Sequence, residues 1–243
     1  MTEVPLPGGL VHHVVRAGDT VRRPAPERTD YVTTVLKLLE AQGWSGAPRH
    51  LGFDGEGRQV LEYMRGHVAW QAEQPDDVYA DESLAAVARL VRQFHDLTAG
   101  TPPAGSAEVV CHNDLAPKNT VYRQTGSGLR PAGFIDWDLA APGRRIHDVA
   151  HVCWQYLHLG PGTDAAEAGR RMRLIADAYG LTGRDELVTS VLWWQDRCWR
   201  GIADAADRGE SAMVRLREAG VVDEIQAAYR WTVRNQAVLA HLL

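Results

Sequence analysis

The chain has 243 residues, of which 45% are hydrophobic and 23% are charged, and this composition is typical of a soluble globular protein. The formal net charge of -5 disfavours nucleic acid or an anionic membrane as the principal partner, because phosphate-rich partners usually select a basic patch. No run approaches the roughly 18 apolar residues of a membrane span, and "MTEVPLPGGL" lacks a signal-peptide pattern, so we expect a cytoplasmic protein.

Residues 1–66 predict a small lobe that is rich in β-strands and carries one helix. The stretch "LVHHVVRAGDTVRRP" has two short Val-rich runs around a turn at residues 17–19, which predicts a hairpin. The next stretch, "RTDYVTTVLKLLEAQG", has apolar residues at helical spacing. Two further strands are predicted around the Gly-rich turn of "PRHLGFDGEGRQVLEYM".

Residues 67–243 predict a second, larger and mainly helical lobe. The stretch "ESLAAVARLVRQFHDL" is strongly amphipathic, since Leu84, Val87, Val91 and Phe94 fall on one face of a helix. Periodicity of 3.6 residues predicts further helices over residues 145–158, 164–180, 184–207 and 221–241. The predicted fold class is therefore α+β, with two lobes.

Polar residues with the potential for chemistry cluster in "VVCHNDLAPKNTVYR", residues 109–123, and in "FIDWD", residues 134–138. The runs "TVYR" and "AGFI" predict an antiparallel hairpin, which places Asn119 beside Asp136. In an extended chain Asp138 lies on the same side as Asp136. These oxygen ligands suit Mg²⁺ better than zinc, so the sequence predicts a magnesium site formed by Asn119, Asp136 and Asp138.

The spacing of His112, Asp114 and Asn119 fits the H-x-D-x-x-x-x-N element of phosphoryl-transfer enzymes. In that template the Asp meets the acceptor hydroxyl, while the Asn and a later Asp hold metal ions on the phosphates. Asp114 is therefore the predicted catalytic residue. The residues leave open whether His112 takes part in catalysis or braces the loop.

At these residues the chain resembles the aminoglycoside phosphotransferase and choline kinase-like family. The resemblance rests on "CHNDLAPKN", on "FIDWD" and on "LVRQFHDL", and it covers most of the chain. It implies a two-lobed protein-kinase-like fold and the use of ATP or GTP with Mg²⁺. It also implies that Asp114 is catalytic, that Asn119 and Asp136 hold the metal, and that Asp148 hydrogen-bonds the backbone of the catalytic loop.

The nucleotide-binding elements depart from the usual kinase pattern. The strand "TVRRP" has no Lys, and both Arg23 and Arg22 are candidate nucleotide contacts in its place. Alternation favours Arg23 over Arg22, and the alternative is that Arg23 is an exposed strand residue without such a role. The following helix has no Glu at its middle to pair with this cation, and only Gly8 and Gly9 represent the Gly-rich loop. The stretch "VLEYM" resembles the hinge between the lobes, near residues 60–66, which makes Glu62 and Met64 candidate nucleotide contacts together with Gly9.

The acceptor is predicted to be a small hydroxylated molecule. About ten residues separate Asp136 from the helix near His147, too few for the activation segment that protein kinases use for protein substrates. The helical stretch "WWQDRCWRGIADAADRGE" offers Trp193, Asp196 and Asp204 as candidate acceptor contacts through charge and cation–π interactions. The alternative is that the Trp residues pack in the core and the charges face water.

Two functions of different class are consistent with this pattern. The first is an ATP- or GTP-dependent phosphotransferase that modifies a small molecule, with an aminoglycoside-like or other antibiotic as one candidate. The second is a non-catalytic nucleotide-binding or immunity-type module, which the missing Lys and the thin Gly-rich loop favour. The complete set of Asp114, Asn119 and Asp136 favours the enzyme.

Overall fold

A small antiparallel sheet with one helix stands at the start of the chain, and a larger, mainly helical part follows it. The computed structural model describes residues 2–6, 14–71 and 73–243. Gly9, a predicted nucleotide contact, lies outside these described residues. The predicted α+β fold class is confirmed.

The described strands of the first part form one antiparallel sheet in the order β1-β2-β3-β5-β4. Gly18 turns the chain between β2 and β3 with a φ of 62°, a conformation that glycine adopts without strain. Arg22 pairs with Val60 and Arg23 with Gln59 in the register of β3 and β5. The strands are β1 (Glu3–Pro5), β2 (Val15–Ala17), β3 (Thr20–Arg23), β4 (His50–Phe53) and β5 (Gln59–Glu62), and the helix is α1 (Thr29–Ala41).

The helix α1 buries one apolar face. Val32, Val35, Leu36 and Leu39 recur at spacings of three or four residues and are each at most 2% exposed. They belong to a core cluster that also contains Leu61 of β5 and residues of the larger part. The periodicity of the sequence therefore located the helix, but of the residues that it placed at helical spacing only Val35 and Leu39 are fully buried, while Tyr31 and Leu38 are partly exposed.

The larger part contains the predicted helices and one that was not predicted, α6. No residue of α6 is buried, and its eight residues are fewer than the window of about 11–18 over which helical periodicity is read. The helices are α2 (Asp81–Thr98), α3 (Arg145–Tyr156), α4 (Ala165–Tyr179), α5 (Leu187–Asp207), α6 (Ser211–Glu218) and α7 (Val221–His241). Among the described residues, no helix has the length and apolar character needed to cross a bilayer.

Two small sheets in the larger part set the position of the polar motif. The strands β8 and β9 form the predicted hairpin, with Thr120 opposite Phe134, and β6 pairs with β8. The short strands β7 and β10 pair with each other on the other side of the motif. These strands are β6 (His67–Val68), β7 (Val109–Cys111), β8 (Thr120–Thr125), β9 (Gly128–Phe134) and β10 (Ala141–Gly143).

Candidate active site

The loop between β7 and β8, residues 112–119, is held from below by a buried carboxylate. Asp148 is 0% exposed and accepts the backbone N–H of His112 at 2.7 Å and that of Asn113 at 2.9 Å. Asn113 lies in the left-handed region at a φ of 64°, which short polar side chains tolerate best. Asp148 therefore fixes the backbone immediately before Asp114, as the resemblance implied.

Two further helices support that carboxylate. His95 of α2 donates from Nε2 to Asp148 at 3.0 Å, and its Nδ1 accepts the hydroxyl of Tyr179 in α4 at 2.7 Å. Burial lowers the pKa of His95, and it raises the pKa of Tyr179 to about 12, so the ring is neutral and the phenol keeps its proton. Burial alone would raise the pKa of Asp148, but the hydrogen bonds from His95 and from the backbone of Asn113 outweigh it and lower that pKa.

Asp114 and Asn119 lie at hydrogen-bond distance, as their spacing predicted. The side-chain nitrogen of Asn119 donates to Oδ2 of Asp114 at 2.8 Å and to its backbone oxygen at 2.9 Å. Asn119 is almost fully buried, whereas Asp114 is partly exposed. The amide orientation of Asn119 is therefore fixed, and its amide oxygen remains for a further ligand.

The ring of His112 is buried and makes hydrogen bonds to the backbone on both sides. It is 0% exposed; its Nε2 donates to the backbone oxygen of Ile135 at 3.1 Å and its Nδ1 accepts the N–H of Asp114 at 3.3 Å. Both ring nitrogens are thus occupied by backbone groups. Of the two roles that the sequence left open for His112, these contacts favour the bracing role, which joins the loop to the end of the β8–β9 hairpin.

Asp136 lies just beyond the end of that hairpin and faces Arg23 of β3. The N–H of Ile135 donates to the backbone oxygen of Asn119 at 2.9 Å, so the hairpin brings Asn119 and the residue before Asp136 together. The Asp136 side chain is 49% exposed. Partial desolvation, and next the neighbouring Asp138 carboxylate, raise the pKa of Asp136, while the Arg23 guanidinium opposes the shift.

The backbone is not extended from Asp136 to Asp138, so that part of the sequence interpretation is wrong, although both carboxylates lie near Arg23. Asp136 has a left-handed φ of 65°, and residues 137–139 form a 3₁₀ turn that redirects the next side chain. Asp138 instead accepts two hydrogen bonds from Arg23, at 3.1 Å from Nη1 and 2.5 Å from Nη2. Its oxygens are thus committed to a cation of the small sheet.

Arg22 and Arg23 point to opposite faces of β3, as strand alternation predicted. Arg23 is 6% exposed and reaches Asp138, with Asp136 at 3.5 Å. Arg22 lies near Glu3 at 3.5 Å and Asp54 at 3.8 Å on the outer face. Arg23, and not Arg22, is therefore the cation that lies beside Asp136 and Asp138.

The two hinge candidates occupy different surroundings. The Glu62 carboxylate pairs with Nε of Arg49 at 3.0 Å on the same outer face as Arg22. The Met64 side chain is buried, and a Cβ added at Gly133 of β9 would lie 2.5 Å from its Cε. Met64 therefore packs on the hairpin, whereas the side chain of Glu62 points away from the cleft.

The structure does not bring Trp193, Asp196 and Asp204 to the catalytic loop. They lie on the outer face of α5, where Trp193 stacks on His147 at 4.8 Å and Asp196 pairs with Arg200 at 2.9 Å. Trp193 is 43% exposed, and Asp204 is also exposed. These placements match the alternative in which charged side chains face water.

The inner face of α5 carries a residue that the sequence interpretation missed. Cys198 lies close enough to Asp114 and Lys118 for their charges to affect its thiol; burial, and next the Asp114 carboxylate, raise the pKa of Cys198 to about 11. It follows the buried Trp194 by one helical turn. The spacing of these two residues, four apart, was the available signal.

The residues present fit a magnesium ion. Asp136 and Asn119 offer a carboxylate and an amide oxygen, which are the hard ligands that Mg²⁺ prefers. Burial, and next the Asp138 carboxylate, raise the pKa of Asp136, and a bound cation would favour its charged form. We therefore expect Asn119 and Asp136 to hold the ion, with Asp114 beside them.

This fold and this loop define a protein-kinase-like phosphotransferase. Residues 15–187 match the model of the phosphotransferase enzyme family, and the chain belongs to this family. The predicted family and enzyme class are thereby confirmed. Gly8 and Gly9, the predicted remnant of the Gly-rich loop, lie outside both the match and the described residues.

Similar proteins fall into several branches of this fold. The chain is 28% identical to the trifolitoxin immunity protein of Rhizobium leguminosarum bv. trifolii, covering 98% of this chain and 95% of that protein. It resembles the GDP complex of aminoglycoside 2'-phosphotransferase-IIIa with a TM-score of 0.61 at 12% identity, over 98% of this chain and 93% of that one. A choline/ethanolamine kinase family protein from Mesorhizobium loti gives a TM-score of 0.52 at 18% identity, over 100% and 91% of the two chains.

Proposed function

We propose that the chain transfers the γ-phosphoryl group of ATP or GTP to a hydroxyl group of a small molecule. The observation that carries this proposal is the hydrogen bond between Asn119 and Asp114 on a loop whose backbone the buried Asp148 fixes. The β8–β9 hairpin brings Asp136 close to this loop. A protein that only bound a nucleotide would need metal ligands, but it would not need a carboxylate placed to receive the acceptor hydroxyl.

The proposed chemistry divides among this chain's own residues. Asp114 orients the acceptor hydroxyl and takes its proton late, because the transition state of phosphoryl transfer is loose. The hydrogen bond from Asn119 holds the Asp114 carboxylate in one orientation. Arg23 supplies positive charge for the phosphates. A Mg²⁺ ion held by Asn119 and Asp136 would supply positive charge to offset the negative charge of the phosphates.

The acceptor is proposed to be a small molecule of the antibiotic class. Between Asp136 and the start of α3 there are only a 3₁₀ turn and the short strand β10, which leaves no segment for docking a protein substrate. The names of similar proteins refer to aminoglycosides, to choline and ethanolamine, and to immunity against trifolitoxin. Immunity by phosphorylation of a toxic small molecule is consistent with all of these observations together.

The second candidate is a non-catalytic, nucleotide-binding immunity module. The 28% identical trifolitoxin immunity protein and the Arg in place of the usual Lys favour this candidate. The two candidates differ in one measurable respect, since both bind the nucleotide but only the enzyme consumes it.

The first experiment measures the melting temperature with ATP or GTP, each with and without Mg²⁺. A ligand at about 100 times its Kd stabilises a folded protein by about 2.7 kcal/mol, which at this chain length raises the melting temperature by roughly 5–10 °C. We expect a magnesium-dependent rise in the wild type and its loss in Asp136→Ala. Asp223→Ala, an exposed Asp in the first turn of α7, is the matched control and should keep the rise.

The second experiment separates the enzyme from the module. Asp114→Asn should bind Mg-nucleotide as the wild type does, while phosphoryl transfer to a panel of hydroxylated antibiotics falls by about 10²–10⁴-fold. Transfer is followed by mass spectrometry as the addition of a phosphoryl group to the acceptor. A wild-type protein that binds the nucleotide but phosphorylates no acceptor and releases no ADP or GDP would support the non-catalytic immunity module instead.

A further inference from the structure

All three nitrogens of the Arg23 guanidinium donate a hydrogen bond, to two partner residues. Its Nε donates to Oε1 of Gln59 at 3.0 Å, and Asp138 accepts from both terminal nitrogens, at 3.1 and 2.5 Å. Gln59 is 0% exposed and Arg23 is 6% exposed. Arg23 therefore has a single orientation, set by one residue of the small sheet and one residue of the larger part.

Helix α1 provides no partner for this cation. Its acidic residues are Asp30 in the first turn and Glu40 near the end, and both are exposed. The positions that face the sheet are apolar, among them Val35 and Leu36. The ion pair that kinases form between the strand cation and the following helix cannot form here.

We infer that Asp138 replaces the missing helix Glu and is the positioning residue that aims Arg23 at the nucleotide phosphates. This inference rests on the proposed function. A guanidinium has five N–H donors, of which Gln59 takes one and Asp138 takes two. One donor on Nη1 and one on Nη2 remain, and two such donors suit phosphate oxygens.

The role differs from the metal-ligand role that sequence spacing predicted for Asp138. A carboxylate that accepts two hydrogen bonds from Arg23 already has its charge balanced, whereas Asp136 lies 3.5 Å from the same cation and is half-exposed. Asp136 thus remains for the metal, and Asp138 remains with Arg23. The two carboxylates of "DWD" have separate tasks.

A double-mutant cycle of Arg23→Ala, Asp138→Asn and the combined variant tests this role. For each protein, the Kd of ATP and GTP is measured in Mg²⁺ and in EDTA, and the unfolding of the nucleotide-free protein is measured in urea. Asp138→Asn should raise the Kd roughly tenfold in both conditions, because a misoriented Arg23 loses a charge-assisted hydrogen bond to phosphate. The magnesium concentration that gives half-maximal binding should not change.

In the Arg23→Ala background, Asp138→Asn should cause no further rise in the Kd, since the group that it positions is gone. Asp54→Asn is the matched control, because Asp54 pairs with Arg58 and Arg22 on the outer face and should leave the Kd unchanged.

A higher magnesium requirement in Asp138→Asn, or additive effects of the two substitutions, would overturn the inference and restore the metal-ligand role. If the wild type binds no nucleotide in either condition, the proposed function itself fails, and the inference fails with it. The urea measurements test the ion pair separately from nucleotide binding. If Arg23 and Asp138 interact in the nucleotide-free protein, the two substitutions should change its free energy of unfolding in a non-additive way.

Discussion

Replacing Asp148 with alanine is expected to destabilise the protein by about 4 kcal/mol, because breaking a buried charged network typically costs 3–5 kcal/mol. The substitution leaves the N–H groups of His112, Asn113 and His95 without their acceptor in the interior. Each such orphaned donor costs about 1–3 kcal/mol, which agrees with that total. At this chain length the melting temperature should fall by about 8–16 °C.

The assay compares Asp148→Ala with Asp164→Ala in urea and in a thermal scan. Asp164 also accepts a backbone N–H, from Glu167 at 2.8 Å, but it caps α4 at the surface. Loss of such a cap costs about 1 kcal/mol. Equal losses in the two variants would refute the reasoning, because the buried network would then contribute no more than a single exposed cap.

Two other predictions concern packing and pH. Gly133→Ala should destabilise the protein by about 1–3 kcal/mol, because the new Cβ would meet Met64 Cε at 2.5 Å and the Gly46 oxygen at 2.6 Å. In the control Gly126→Ala, in the same hairpin, the new Cβ meets nothing, and the stability should not change. Equal free energies of unfolding for the two variants in urea would contradict this prediction. Burial lowers the pKa of His95 and of His151, so the folded protein keeps both neutral while the unfolded chain takes up protons below about pH 6.5. The free energy of unfolding should therefore fall as pH is lowered from about 7 to about 5, and a urea midpoint that stays flat over that range would show that these histidines do not titrate on unfolding.

The sequence predicted the geometry of the loop because its signals are local. His112, Asp114 and Asn119 have a fixed spacing, and a hairpin follows them, so strand pairing alone brings Asn119 to the start of "FIDWD". Strand alternation likewise separated Arg22 from Arg23. Both inferences need only the regular geometry of a strand.

The supporting contacts could not be read from spacing, because they join residues far apart in the chain. Asp148 reaches His95 across 53 positions, and Arg23 reaches Asp138 across 115. The role of Asp138 was missed because the left-handed Asp136 interrupts the extended geometry that was assumed. Trp193 and Asp196 were chosen for their residue types, but the helix turns both toward solvent.

The close packing around Gly46 and Trp44 limits how separable the two lobes are. The oxygen of Gly46 accepts the N–H of Phe134 at 2.7 Å, and the Trp44 ring lies 5.9 Å from that of Phe94 and 6.4 Å from that of Trp137. A cut at residue 66 would expose these aromatic faces on both fragments. We therefore expect that the small lobe does not fold on its own. A chimera that takes its small lobe from a relative should need matched substitutions on both sides of these contacts.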